Sequence, residues 1–358
     1  MNKKVAIIGT VGIPAKYGGF ETLTEYLTKH LSEKFDFTVF CSAKEYNEKL
    51  KEYNGAKLKY IDFKANGVQS IIYDIISIFK SIGKNDTLLI LGVSGCIVLP
   101  IVRLVSKEKI VVNIDGLEWK RDKWKWYAKK FLKFSEKVAV KNADVVISDN
   151  RVIQRYVKEE YGKDSVYISY GGDHVKKLPL SNDLVEKFPF LKEKYAFTVC
   201  RIEPENNIHL ILEAFKEYKD LNLVIIGNWQ SSEYGKKLFE KYSNNENIFL
   251  LNPIYDQNIL NQIRSNCYVY LHGHSAGGTN PSLVEAMHLE LPIIAFGVEY
   301  NKETTDYQAR YFDNVQKLIE IISDVDENEL MRIGKKMKEI ANRNFTWEKV
   351  CNSYAEVF

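Results

Sequence analysis

Short apolar runs alternate with amphipathic helical stretches along almost the whole chain, and the alternation restarts once near the middle. In the first half, residues 5–8, 37–41, 58–61, 88–91, 110–114, 145–148 and 166–169 read as strands. Helical patterns over 20–33, 71–82, 124–141 and 150–160 lie between them. Continuous apolar strands separated by helices predict a parallel sheet covered on both faces. The pattern begins again with strands at 197–200, 223–226, 248–251, 268–271 and 293–296, separated by helices at 208–218, 234–242, 258–265, 281–289 and 315–323. Two doubly wound, Rossmann-like α/β domains are the economical reading, and 358 residues is the right length for two.

Gly171-Gly172-Asp173 follows the last strand of the first half and precedes a polar, proline-bearing stretch, 176–189. A hinge is expected there, giving domains of 1–172 and 173–343. The remaining segment, 344–358, reads as a closing helix from about Trp347, with an apolar face of Val350, Tyr354 and Val357.

Hydrophobic residues make up 45% of the chain and charged residues 27%, enough for sizeable cores. A net charge of +3 argues neither for nor against a polyanionic partner, and no nucleic-acid-binding module is recognisable. The cysteines at 41, 96, 200, 267 and 351 lack CxxC spacing. Cys41, Cys200 and Cys267 sit in apolar strand-like runs and read as core residues of a reducing compartment. No secretory segment opens the chain, and no run approaches the roughly 20 apolar residues of a membrane span. A cytoplasmic protein is expected.

Ligands of open α/β sheets bind beyond the carboxyl ends of the strands, so the loops there carry the functional reading. The richest is 272–287, HGHSAGGTNPSLVEAM. A buried strand runs into a Gly-rich loop that ends at Asn280-Pro281, a favoured N-cap followed by a favoured first helical residue. Free backbone N–H groups at 280–283 and the helix dipole would make an anion site. Gly277 and Gly278 would let a ligand approach the backbone closely. Glu285, one turn in, would accept hydrogen bonds from sugar hydroxyls. A tight strand-to-helix turn with a solvated Glu is the alternative.

Three further loops are candidates. The loop 9–21 ends in Gly18-Gly19-Phe20-Glu21 at a helix start, where the glycines could admit a phosphate or sugar. It is not GxGxxG, and no acidic residue ends the second strand, which disfavours a nicotinamide dinucleotide. In 200–207, Arg201 would hold a phosphate through paired hydrogen bonds, or else pair with Glu203 or Glu205. In 113–124, Asp115 and Glu118 could orient or deprotonate an acceptor hydroxyl, in either assignment of roles. The alternative there is a turn capped by Asp115 and an ion pair from Glu118 to Lys120 or Arg121.

Between Trp119 and Lys141 nine Lys/Arg stand against Asp122 and Glu136, and aromatic residues are interleaved with them. Trp119, Lys120, Arg121, Lys123, Trp124 and Trp126 are therefore candidates for contact with an anionic membrane or a membrane-borne acceptor. An ordinary amphipathic helix with its aromatics in the core is the competing reading. The DxD pattern at Asp324–Asp326 lies in a polar turn far from every candidate loop. His272, His274 and His288 lack ligand spacing, so no metal site is read. His272 and His274 more naturally hydrogen-bond a ligand.

These same residues carry a family resemblance. HGHSAGGTNPSLVEAM, GGFE, DGLEW, the Arg201 loop and the final FTW resemble retaining glycosyltransferases of family 4, and within them the rhamnosyltransferase branch of bacterial capsule and cell-wall polysaccharide synthesis. The resemblance implies the GT-B fold, with two Rossmann-like domains facing a cleft. The first domain would bind acceptor and the second the nucleotide sugar, with the last helix crossing back to the first. It implies that Gly18, Gly19, Arg201, Asn206, His272, Gly277, Gly278, Thr279, Asn280, Ser282, Leu283 and Glu285 surround the donor. Two positions depart from the wider family: Gly277 replaces a Glu, and Asn206 replaces a Lys. The implied reaction is metal-independent transfer with retention, by a front-face route in which the leaving phosphate helps deprotonate the acceptor. The implied donor is dTDP-L-rhamnose and the acceptor a sugar on a polyprenyl diphosphate, at the inner face of the plasma membrane, with no separate cofactor. A UDP-hexose transferase, a sugar-nucleotide epimerase and a non-catalytic sugar-nucleotide-binding subunit are the competing readings.

Overall fold

The structure is a computed structural model that describes residues 2–16, 18–121 and 124–358. The chain divides into two compact units, one running to Tyr170 and including Trp347–Phe358, the other Gly171–Thr346. The break falls just ahead of the 172/173 boundary read from the sequence.

The first unit contains β1 (Lys3–Ile8), α1 (Gly19–Leu31), β2 (Phe35–Ser42), β3 (Glu52–Tyr53), β4 (Ala56–Ile61), α2 (Gln69–Ser81), β5 (Thr87–Leu91), α3 (Leu99–Val105), β6 (Lys109–Asn113), α4 (Trp126–Asn142), β7 (Val145–Ser148), α5 (Arg151–Tyr161) and β8 (Val166–Tyr167). Its sheet order is β3-β4-β2-β1-β5-β6-β7-β8, parallel except for the β3–β4 hairpin. The chain winds outward from β1 to one side and then returns to the other at β5. This makes a switch point between β1 and β5, where loops open at the strand ends. Val5, Ala6, Ile7 and Leu89 are fully buried, as strands covered on both faces require.

The second unit contains α6 (Asn182–Lys187), β9 (Tyr195–Val199), α7 (Ile208–Glu217), β10 (Asn222–Ile226), α8 (Glu233–Tyr242), β11 (Ile248–Leu251), α9 (Gln257–Ser265), β12 (Val269–His272), α10 (Pro281–His288), β13 (Ile293–Phe296), α11 (Glu299–Thr304), β14 (Arg310–Phe312), α12 (Val315–Asp324) and α13 (Glu327–Asn344). All its strands are parallel, in the order β11-β10-β9-β12-β13-β14, so the switch point lies between β9 and β12. Asp326 of the DxD pattern caps α13, its carboxylate accepting the Glu329 N–H at 2.8 Å.

The last helix, α14 (Trp347–Val357), packs in the first unit. Trp347 stacks on Tyr26 with centroids 4.2 Å apart and planes 5° from parallel. Tyr354 Oη accepts a 2.8 Å hydrogen bond from Asn113 Nδ2, and Phe358 meets Phe35 edge-on.

The glycine pair read as a hinge has another explanation at Gly172. A Cβ there would sit 2.7 Å from Val284 Cγ1 on α10, and its N–H donates to Phe345 O at 2.9 Å. Close approach, not conformational freedom, requires glycine at 172.

Candidate functional site

In the second unit the two loops at the switch point are tied together. Ser275 N and Oγ both donate to Glu205 O, at 2.8 and 2.9 Å. Asn207 Nδ2 donates to Gly273 O at 2.9 Å. The backbones run so close that a Cβ on Gly273 would lie 2.1 Å from Asn206 O. From α11, Asn301 Nδ2 donates to His274 O at 2.8 Å and braces the loop from behind.

Helix α10 starts as the sequence predicts, with Asn280 as N-cap and Pro281 as first residue. Its capping corrects one expectation. Asn280 Oδ1 accepts from Ser282 N at 3.0 Å and Ser282 Oγ at 2.8 Å, and Asn280 O accepts from Leu283 N at 3.1 Å. Pro281 has no N–H, and the N–H groups of Ser282 and Leu283 are taken up by Asn280 and not presented to a ligand. The Leu283 side chain is fully buried in the core, so it frames the site and does not line it.

Gly277 has φ +133, closed to ordinary L side chains, and a Cβ there would press on His274 Nε2 at 3.0 Å. The Glu of the wider family at this position therefore does not fit this loop conformation. Gly278 and Thr279 are buried beside it.

Glu285 lies one turn into α10, its side chain 20% exposed. Oε2 pairs with Arg264, whose side chain is 1% exposed, and Oε1 lies 3.2 Å from His174 Nε2. Burial would raise its pKa, but Arg264 first and His174 second outweigh that and hold it at about 2. At neutral pH the carboxylate is thus an ionised acceptor. Arg264 and His174 were missed by sequence reasoning. A signal existed for Arg264, which falls one turn after Leu260 on the buried face of α9. His174 hides in the stretch read as linker.

His272, at the end of β12, is 4% exposed, and burial lowers its pKa to about 3, so the ring is neutral. Its Nε2 has no hydrogen-bond partner among the described residues. His274 Nδ1 meets Asn206 Oδ1 at 2.8 Å, and Asn206 Nδ2 donates to Arg201 O at 2.7 Å. The Asn206 amide is therefore spent on holding the two loops, not presented in place of a Lys. Arg201 is the exposed cation of the loop, with Nε 3.9 Å from Glu203 Oε2.

In the first unit Gly18 has φ +132 and precedes α1. A Cβ there would collide with Glu21, whose carboxylate turns back to accept from Val11 N at 2.7 Å and Thr10 Oγ1 at 3.1 Å. Burial raises the Glu21 pKa. Gly18 thus serves a staple between the helix start and the loop after β1. Gly19 opens α1.

After β6 the two carboxylates separate in role. Glu118 forms an ion pair with Arg121, Oε2 lying 2.8 Å from Nε, and accepts from Trp124 Nε1 at 2.9 Å. Asp115 sits at φ +61, rare for a non-glycine residue, its side chain 29% exposed and 3.9 Å from Arg121. Its N–H donates to Asn113 Oδ1 at 3.0 Å, and Asn113 is held by Tyr354.

The membrane-contact residues also divide. Arg121 is 9% exposed and paired with Glu118. Trp124 is bonded to Glu118, and Trp119 Nε1 donates to Glu136 Oε2 at 3.1 Å. These three face the protein because their polar atoms have partners there. Lys120 is exposed, and Trp126 is 70% exposed. Lys123 lies outside the described residues. Among the described residues there is no group of three or more side chains suited to a metal ion, and no helix long and apolar enough to cross a membrane.

Comparison with known proteins accords with this geometry. Residues 2–173 match the family described as Domain of unknown function (DUF1972), and residues 182–342 match Glycosyl transferases group 1. An uncharacterized glycosyltransferase of Methanocaldococcus jannaschii is 24% identical, over 95% of this chain and 94% of its own length. Among solved structures, sucrose-phosphate synthase from Thermosynechococcus elongatus superposes with a TM-score of 0.83 at 14% identity, covering 99% of this chain and 98% of that one. Anabaena Alr3699/HepE in complex with UDP-glucose gives 0.76 at 14% identity, over 99% and 98%. The chain therefore has the GT-B fold, and its residues 182–342 match the family of glycosyl transferases group 1.

Proposed function

We propose that the protein transfers a sugar from a nucleoside diphosphate to an acceptor hydroxyl. The observation that carries this is the second-unit switch point. Two loops are tied across it, with Arg201 exposed on one, while the α10 N-terminus and an ionised Glu285 follow the other. A diphosphate meets the helix dipole and Arg201, and Glu285 accepts hydrogen bonds from the nucleotide's ribose hydroxyls. Charge that develops on the departing diphosphate is met by dipoles already in place, usually a large catalytic contribution.

The donor we propose is dTDP-L-rhamnose, and the acceptor a sugar on a lipid diphosphate, with retention of configuration and no metal. Support for rhamnose comes from the resemblance of 272–287 to the rhamnosyltransferase branch and from the Gly277 conformation, which suits that branch. A UDP-hexose donor is the second reading, favoured by the likeness to the Anabaena protein in complex with UDP-glucose. On the acceptor side Asp115 is the residue that orients or deprotonates the hydroxyl, because Glu118 is engaged by Arg121 and Trp124.

Separate titrations with dTDP-rhamnose and UDP-glucose test the donor. Binding of the first and not the second is expected; the reverse would assign a hexose. Asp115→Asn should lower kcat by about 10²–10⁴-fold with little change in stability. Glu118→Gln should instead lower the melting temperature.

A further inference from the structure

The carboxylate of Glu285 is held from two sides. Arg264 reaches Oε2 from α9 and spends Nη2 on Asn261 Oδ1 at 2.7 Å. Its side chain is 1% exposed, so it has no space into which to withdraw. On the other side, His174 Nε2 lies 3.2 Å from Oε1. An ionised carboxylate only accepts, so this nitrogen carries the hydrogen and donates it.

The backbone around His174 fixes that contact. Val175 N donates to Gly172 O at 3.4 Å, closing a turn with His174 inside it. Gly172 is pressed against Val284 of α10, the helix that carries Glu285, and is tied to Phe345 O. Farther along, Leu178 N donates to Ser265 Oγ at 3.3 Å, and Asn266 Nδ2 donates to Leu178 O at 2.7 Å. Ser265 and Asn266 directly follow Arg264 in the chain. The segment 172–178 thus runs from α10 to the end of α9, and the same packing places both partners of Glu285.

This arrangement bears on which nucleotide the carboxylate takes. A carboxylate grips the cis-diol of a ribose with one hydroxyl on each oxygen. Here each oxygen already has a donor from the protein. Oε2 faces the buried Arg264, and Oε1 faces His174, whose side chain is 20% exposed. A ligand therefore meets Glu285 on the Oε1 side, where His174 already stands. The single hydroxyl of a 2′-deoxyribose fits beside it. The vicinal pair of a ribose has to take its place, leaving the His174 N–H without its acceptor in a mostly covered site.

We propose that His174 selects a 2′-deoxyribonucleotide donor, by occupying the side of Glu285 that a 2′-hydroxyl would need. His174 is then a specificity-determining residue, and its role rests on the reading of the second-unit switch point as the donor site.

The test is calorimetric titration of the purified full chain with dUDP and with UDP, which differ by the 2′-hydroxyl alone. The unaltered chain should bind dUDP about tenfold more tightly, a comparison that needs no variant to fold. His174→Ala should bring the two nucleotides within about twofold of each other, chiefly by tightening UDP. His174→Gln, which keeps an N–H donor, should keep most of the preference. A His174 that only supported the fold would weaken both nucleotides alike and leave their ratio unmoved. Equal affinities or a preference for UDP in the unaltered chain would overturn the proposal while the donor site stood. So would a ratio unmoved by His174→Ala, or moved as far by His174→Gln. Binding of neither nucleotide would overturn the donor-site reading itself, and the proposal with it.

Discussion

A carboxyl group is acceptor-only, at both oxygens, while it stays ionised, and Glu285 owes that state to Arg264 and His174. Removing Arg264 would leave Glu285 largely buried without its main partner. Arg264→Leu is therefore expected to cost about 3 kcal/mol in chemical denaturation, more than Glu285→Gln. Stability also depends on pH in a definite direction. His272 has a folded pKa of about 3 against 6.5 for the free group. Below pH 6.5 the unfolded chain takes up a proton that the folded chain refuses, so the stability present above 6.5 is lost as the pH falls. Between pH 7 and 5 this group should account for about 2 kcal/mol, and His272→Gln should flatten the profile by that amount. Glu285, held at about 2 against 4.5, adds its loss only at lower pH, between those two values. At Gly277 the backbone itself discriminates. Gly277→Glu restores the residue of the wider family, yet at φ +133 it should cost about 1–2 kcal/mol and weaken donor binding, measured by melting and titration. Of the residues in this site, Asn280, Pro281 and Arg201 were legible in the sequence because capping and charge are local properties. Arg264, His174 and Asn301 were not, because their partners lie on other elements and only the tertiary fold brings them together.

At the scale of elements, the parallel strands and long amphipathic helices were legible because their periodicity extends over several turns or a full buried run. Apart from the 18-residue α13, to which no bounds were given, the elements that escaped are short. α3, with the sequence LPIVRLV, has no polar face from which to read a period. β14 has three residues, and α6 and α11 six each. The most consequential link between elements runs from α14 through Tyr354 to Asn113 and on to the Asp115 loop. Tyr354→Phe removes the acceptor of Asn113 Nδ2 and should cost about 1 kcal/mol of stability. If this link positions Asp115, kcat should fall while KM for the donor is unchanged. An unaltered kcat would reduce α14 to a packing element.

For the molecule as a whole, the restart of the strand–helix pattern was enough to predict two doubly wound units, since only parallel sheets with helical crossovers satisfy it. The sequence did not reveal that Asp74 and Glu136 are buried, because their burial is decided by packing. Fold alone does not set chemistry, and the central claim is transfer from a nucleoside diphosphate sugar. The measurement that tests it most directly is a donor panel. The purified chain is incubated with dTDP-rhamnose, UDP-glucose, UDP-GlcNAc, UDP-galactose or GDP-mannose, each with a lipid-diphosphate-linked glucose or GlcNAc, and the product is weighed by mass spectrometry. Addition of one deoxyhexose from dTDP-rhamnose alone, lost in Arg201→Ala and Glu285→Ala, is the predicted result. Addition of a hexose from a UDP donor would contradict the donor assignment, and donor binding without transfer to any of a wider set of acceptors would contradict catalysis itself.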